Sequence, residues 1–117
     1  MSILAKFLKT CAAVVLLSLG VAKMGIAGGV QTGKIKFLTL RGSDGLILVD
    51  LDGPLSGKPS CASYSYWIIK SETSLVGKQQ LAFLLAAKTM NQTVSISGTG
   101  SCTRWHDGED IDAIQLQ

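Results

Sequence analysis

The sequence contains a single histidine, His106, and none of the short motifs that mark common enzyme families. A G-x-S-x-G nucleophile elbow, a phosphate-binding loop and a dinucleotide-binding glycine fingerprint are all absent. The glycine-rich segment Gly98-Thr99-Gly100 is more typical of a turn at a strand end than of a phosphate cradle. We therefore expect no enzymatic activity, although eight Asp and Glu residues leave an acid–base carboxylate pair open as an alternative.

Cysteine is also scarce, with only Cys11, Cys61 and Cys102. Cys11 lies in an amino-terminal segment that we expect to be removed, which leaves Cys61 and Cys102 as an even pair with one connectivity. In an oxidising compartment they should form a disulfide that closes about 40 residues and stabilises the fold by roughly 4 kcal/mol. The alternative, a metal site, would need further Cys or His ligands at close spacing, so neither a metal nor a cofactor is predicted.

The first 27 residues have the organisation of a secretory signal peptide. Lys6 and Lys9 form a basic region, residues 11–22 are uncharged and mostly apolar, and small residues precede a cleavage point after Ala27. We expect a single mature domain of residues 28–117 that is periplasmic or secreted. A retained membrane anchor is the alternative, but the apolar run is shorter than the ~20 residues of a spanning helix, so stable membrane insertion is not expected.

Removal of this leader changes the net charge of the protein. The full chain has 11 basic and 8 acidic residues, for a formal net charge of +3. Three of the lysines, Lys6, Lys9 and Lys23, lie in the leader, so the mature domain is formally neutral, with eight residues of each sign. The basic excess belongs to the export signal, and no nucleic-acid partner is expected.

Hydrophobic alternation and turn residues predict five strands and one helix in the mature domain. Asp44-Gly45 is a hairpin signal between the first two strands. A change of alternation near Phe37 and Leu38 predicts a bulge or bend in the first strand. Thr73 or Ser74 can cap the helix. The predicted strands cover residues 34–41, 46–51, 61–70, 93–97 and 111–116, with the helix from 73 or 74 to 90 between the third and fourth.

A single helix between the third and fourth of five strands is the element order of an OB-fold, a small, partly open Greek-key barrel. A long, bent first strand suits such a barrel because it has to serve both ends of the sheet. The alternative is an unrelated α+β sandwich with the same order. The predicted fold class is mainly β: a five-stranded OB-fold barrel with one helix, after a cleaved signal peptide.

One set of residues spread across the mature domain resembles a known group of proteins. These residues are Cys61-Ala62, Trp67, Gly77-Lys78, residues 81–87 and residues 94–102. They resemble small secreted bacterial proteins of uncharacterised function and, more distantly, the B subunits of the subtilase-cytotoxin and pertussis-like AB5 toxins. The resemblance implies an OB barrel, a disulfide, a ring of subunits and, in the toxin branch, binding of cell-surface glycans. It transfers no glycan-contacting position to this chain.

The densest cluster of polar and aromatic residues is the segment of residues 104–110, RWHDGED. It lacks the spacing and terminal glutamate of a calcium loop. One interpretation is a solvated turn between the last two strands, with Trp105 covering the end of the barrel. The other is a rim site that would stack on a sugar ring or a partner side chain, formed by Trp105, His106, Asp107 and Tyr64.

The function predicted from these features is an exported, non-enzymatic binding module that recognises a carbohydrate or a protein. The alternative is a periplasmic structural or stress accessory protein without a small ligand, and a small hydrolase is a third hypothesis. An outer stripe on the helix that is small and uncharged except at Lys78 favours close helix packing in a homo-oligomer such as a ring. The small and uncharged residues of this stripe are Gln79, Ala82, Ala86 and Thr89. A monomer whose alanines reflect helix propensity is the competing expectation.

Overall fold

The computed structural model describes residues 28–117, and the predicted signal peptide, residues 1–27, lies outside the described residues. The described residues form a mainly β domain with seven strands and one helix. The strands are β1 Val30–Gly33, β2 Ile35–Leu40, β3 Ile47–Leu51, β4 Leu55–Ser56, β5 Trp67–Ile68, β6 Val94–Gly98 and β7 Glu109–Leu116. The helix, α1, is Leu75–Thr89 and lies between β5 and β6.

The seven strands form one curled sheet in the order β2-β3-β5-β7-β6-β1-β4. Neighbouring strands are antiparallel except β5 and β7, which are parallel. β1 and β2 stand near opposite ends of this order, yet only Lys34 separates them along the chain. Because one residue joins strands from the two ends, the sheet curls back on itself into a half-barrel.

The described strands differ from the predicted ones in number and length. Seven strands replace five because β1 and β4 were not predicted. The predicted third strand, residues 61–70, is reduced to the two residues of β5. The Ala62 N–H donates to the Pro59 carbonyl at 3.0 Å, and the Ser63 N–H donates to the Cys61 carbonyl at 3.0 Å. These local bonds form turns, so the segment before Trp67 is not part of the sheet.

The bulge predicted in the first strand is present, slightly before the predicted position. The register of β2 against β3 shifts between Ile35 and Phe37. The shift separates the two side chains: Ile35 is 7% exposed and belongs to the core, whereas Phe37 is 54% exposed. The bulge therefore bends the chain where β1 passes into β2.

The core combines side chains from the inner side of the curled sheet with Leu84 and Ala87 of α1. Trp67 is the largest of its fully buried side chains. The Trp67 indole N–H donates to Gln31 Oε1 at 2.8 Å, which satisfies its one polar group. Trp67 is buried, whereas Tyr64 on the preceding irregular segment is exposed.

The helix α1 begins where the sequence predicts. The Ser74 hydroxyl accepts a hydrogen bond from the Gly77 N–H at 3.0 Å, as expected of an N-cap residue. α1 buries only Gly77, Leu84 and Ala87, and its outer side carries several exposed apolar side chains. These are Leu75, Val76, Phe83 and Leu85. Within residues 28–117, no helix is long and apolar enough to span a bilayer.

Candidate functional site

Two irregular segments, residues 57–66 before β5 and residues 99–108 between β6 and β7, meet on one side of the domain. The predicted disulfide between Cys61 and Cys102 joins them, with a Cα–Cα distance of 6.2 Å. The Tyr64 N–H also donates to the carbonyl of Asp107 at 3.2 Å. One covalent bond and one backbone hydrogen bond therefore hold the two segments at a set spacing.

A stacked tyrosine pair lies on the first of these segments. The rings of Tyr64 and Tyr66 are 5.5 Å apart between centroids, with an interplanar angle of 6°. The Tyr66 hydroxyl donates a hydrogen bond to Asp107 on the second segment. Tyr64 is 59% exposed, so its outer ring face is open to solvent. A Cβ at Gly108 would lie 2.7 Å from the Tyr66 ring, so glycine permits this close packing.

Trp105 is the aromatic centre of the second segment. Its ring contacts that of His106, with centroids 4.7 Å apart and an interplanar angle of 48°. The Arg41 guanidinium lies over the Trp105 ring, 4.2 Å from its centroid, in a cation–π arrangement. Arg41 follows β2 and is held by Asp44, whose carboxylate accepts from Nε at 2.9 Å and Nη2 at 2.6 Å. The turn between β2 and β3 is thus a third segment at this site.

The charges around these rings are well defined. Burial raises the pKa of the Tyr66 phenol to about 12, and the hydrogen bond to Asp107 acts in the same direction. Tyr66 is therefore a neutral hydrogen-bond donor at physiological pH. The hydrogen bonds from Arg41 hold the pKa of the Asp44 carboxyl well below its usual range. His106 is largely exposed, with Nε2 3.6 Å from Asp107 Oδ2.

A buried carboxylate supports the backbone beneath Trp105. Asp110 is 0% exposed and accepts hydrogen bonds from the Thr103 N–H at 3.0 Å, the Thr103 hydroxyl and the Arg104 N–H at 3.3 Å. Arg104 in turn binds Glu72, with Nη2 2.7 Å from Oε1, and donates to the Asp44 carbonyl at 3.1 Å. The loop that presents Trp105 is thus tied to β7, to the segment before α1 and to the β2–β3 turn.

The structure brings the four predicted rim residues together and adds two more. We call this surface the aromatic face. It consists of Arg41, Tyr64, Tyr66, Trp105, His106 and Asp107. Sequence reasoning did not assign Arg41 and Tyr66 to it, because no local pattern places the β2–β3 turn beside Trp105. The predicted solvated turn is correct for His106 but not for Glu109 and Asp110, which are 2% and 0% exposed.

The aromatic face combines aromatic rings with charged and polar groups. It offers the exposed ring of Tyr64 and the half-buried ring of Trp105 beside a guanidinium, an imidazole and a carboxylate. Such groups stack on a ligand and form hydrogen bonds with it. Within residues 28–117, no three His, Cys, Asp or Glu side chains are grouped to hold a metal ion.

The protein was compared with known families, curated proteins and solved structures. The chain matches no family model, no curated protein and no solved structure.

Proposed function

We propose that this protein is an exported, non-enzymatic binding module whose aromatic face recognises a carbohydrate. The observation that carries the proposal is that Tyr64 and Trp105 lie on two segments joined by the Cys61–Cys102 disulfide and by the Tyr64–Asp107 backbone hydrogen bond. The apolar C–H face of a sugar ring packs on an aromatic ring, while its hydroxyl groups need donors and acceptors at the edge. Arg41, His106 and Asp107 provide such groups.

Preorganisation supports this assignment. Tyr66 is held by Asp107, Arg41 by Asp44, and the backbone at Arg104 by Asp110. Side chains already held in place lose little conformational freedom when a ligand binds, so more of the contact energy is available as affinity. An interaction with a flexible sugar benefits from a receptor surface of this kind.

We further propose that the half-barrel is an OB-fold. The order β2-β3-β5-β7-β6-β1 supports this if β1 and β2 are counted as one bent strand and β4 as an addition at the edge. In OB-folds the loop between strands 1 and 2 and the loop between strands 4 and 5 bind oligosaccharides and oligonucleotides. The corresponding loops here are the β2–β3 turn, which follows Arg41, and the β6–β7 loop, which carries Trp105.

Export from the cytoplasm is part of the proposal. The leader of residues 1–27 and the disulfide support it, because structural disulfides persist in oxidising compartments. The neutral mature domain provides no electrostatic reason for a nucleic-acid partner. The resemblance to AB5 toxin B subunits is in line with glycan recognition.

A glycan array probed with the processed protein tests the proposal, followed by calorimetry on any retained glycan. We expect Trp105→Ala and Tyr64→Ala each to weaken binding by roughly tenfold or more. Phe83→Ala is the matched control, because Phe83 is also exposed but lies on α1, outside the aromatic face. If no glycan binds, or if all three variants behave alike, carbohydrate recognition by this face is wrong and the accessory role becomes the favoured one.

A further inference from the structure

The carboxylate of Glu109 is buried at the start of β7, with 2% of the residue exposed. It accepts the Gly29 N–H, at 3.1 Å from Oε1 and 3.0 Å from Oε2, and the Gly100 N–H, at 2.8 Å from Oε2. Among residues 28–117, no Lys, Arg or His nitrogen lies within 4.0 Å of it. A cation beside a buried, ionised carboxylate would offset part of the cost of removing its charge from water.

The start of the described chain passes directly beside this carboxylate. A Cβ at Gly28 would lie 3.3 Å from Glu109 Oε2 and 1.9 Å from the Gly98 carbonyl oxygen. A Cβ at Gly29 would lie 2.6 Å from Glu109 Oε1. Gly98, on the other side, has no room for a Cβ either, since it would be 1.9 Å from Oε2. Three glycines thus allow the backbone to enclose Glu109, and Gly28 is the first residue after the predicted cleavage point.

We propose that cleavage after Ala27 creates the cationic partner of Glu109: the freed α-ammonium group of Gly28 forms a buried ion pair with this carboxylate. The inference rests on the export part of the proposed function and is independent of the ligand. In the cleavage step, a signal peptidase catalyses hydrolysis of the Ala27–Gly28 peptide bond by water. Ala27 takes the new carboxylate, and Gly28 takes the amino group, which is mostly protonated at neutral pH because an α-amino group has a pKa of about 8.

The position of the new charge is specific to Gly28. In the precursor the same nitrogen is an uncharged amide, so Glu109 has only backbone N–H partners there. A chain with one additional residue would carry its ammonium group about 3.8 Å further along, beyond the carboxylate. Because Gly28 lacks a side chain, its terminal amino group can turn toward the carboxylate without displacing the Gly98 carbonyl. Processing would thereby stabilise the contact between the start of β1 and the ends of β6 and β7.

The experiment compares processed chains that differ in one residue at the amino terminus. The full precursor and a version with one serine inserted between Ala27 and Gly28 are expressed with export, each with Glu109 and with Glu109→Gln. Mass spectrometry of the purified proteins identifies the terminal residue. We expect the native chain to begin at Gly28 and to melt about 5 °C or more above the insertion variant. In the Glu109→Gln background the insertion should leave the melting temperature unchanged, which isolates the pair.

A second measurement needs no substitution of Glu109. Acylation of the terminal amine of the native chain should be at least tenfold slower when folded than when denatured, while the insertion variant loses this protection. The exposed lysine Lys36 is the internal reference, since half of its side chain is accessible.

A terminal residue other than Gly28 overturns the inference. Equal melting temperatures together with equal amine reactivity of the native and insertion chains would also overturn it. A precursor that remains uncleaved refutes export as well. An exported chain that begins at a residue other than Gly28 and still binds a glycan would show that the ion pair is wrong. The proposed function would stand in that case.

Discussion

Tyr66 connects the two segments of the aromatic face through one hydroxyl group, and its ionisation should report on their contact. Burial and the hydrogen bond to Asp107 raise its pKa to about 12. An unfolded tyrosine has a pKa of about 10. Folding thus favours the protonated phenol. The stabilisation that comes from this pKa difference is fully present below pH ~10 and is lost as the pH rises through the pKa of Tyr66 in the folded protein.

Absorbance titration of the phenolate in a Tyr64→Phe variant tests this prediction. The chain has two tyrosines, so Tyr66 is then the sole phenol. We expect a titration midpoint near 12 in the folded protein and near ~10 in denaturant. A folded-state midpoint close to the denatured one would contradict the contact with Asp107. The double variant Tyr64→Phe/Tyr66→Phe is the control, and it should show no phenolate transition because it has no tyrosine.

The residues that sequence reasoning missed are buried carboxylates with backbone partners. Glu109 and Asp110 fall in a charged run, which is typical of a solvated turn. Their partners are N–H groups of Gly29, Gly100 and Thr103, and a main-chain donor has no signature in a sequence. The indirect signal is the glycine content on both sides, because only glycine lets the backbone approach so closely.

At the scale of elements, local chemistry was predictable and long-range pairing was not. β3, β6 and α1 lie close to their predicted positions because alternation and the Ser74 cap are local features. β1 was missed because its alternation is reversed: Val30 is 49% exposed, whereas Gln31 is 3% exposed. Gln31 is inside because it accepts the Trp67 indole N–H and donates to the Gly53 carbonyl at 2.6 Å. A buried amide with both partners satisfied looks like a surface residue in the sequence.

The disulfide gives a prediction at the scale of the loops that it joins. Its sequence separation is 41 residues. The double variant Cys61→Ser/Cys102→Ser should lose roughly 4 kcal/mol of stability, because the denatured chain gains conformational freedom. Thermal unfolding should show a decrease of at least ~15 °C in the melting temperature. Glycan affinity should fall too, since Tyr64 and Trp105 lie on the two joined segments.

Reduction of the native protein is the matched control for that variant, and the two should melt at the same temperature. Free thiols at both cysteines in denatured, periplasmically produced protein would contradict the pairing.

At the scale of the whole molecule, a large part of the α1 surface is not covered by the rest of the protein. Four apolar side chains on its outer side, Leu75, Val76, Phe83 and Leu85, are each at least 47% exposed. An isolated surface helix usually presents charge to solvent, and a contiguous apolar surface often marks an interface. The small residues Ala82 and Ala86 are also exposed and would let a neighbouring helix approach closely.

We therefore expect the mature protein to self-associate through α1, in a closed ring if the resemblance to toxin B subunits extends to assembly. Light scattering at micromolar concentration should give a mass several times that of one subunit. Leu85→Glu should reduce it to one subunit by burying charge in the interface. Gln115→Glu is the matched control, because it adds the same single negative charge at an exposed position on β7, outside α1. A single-subunit mass for the native protein, unchanged on dilution, would exclude the ring.

The position of β7 in the sheet has a consequence for how this chain is made. β7 is the last strand in the sequence, yet it pairs with β5 on one side and with β6 on the other. Without it the sheet falls into two groups, β2-β3-β5 and β6-β1-β4, with no strand pairing between them. A nascent chain consequently cannot complete this sheet until β7 has left the ribosome. The order of synthesis thus delays closure of the sheet, which would favour the export proposed above, because a chain crosses a membrane more readily before it has folded.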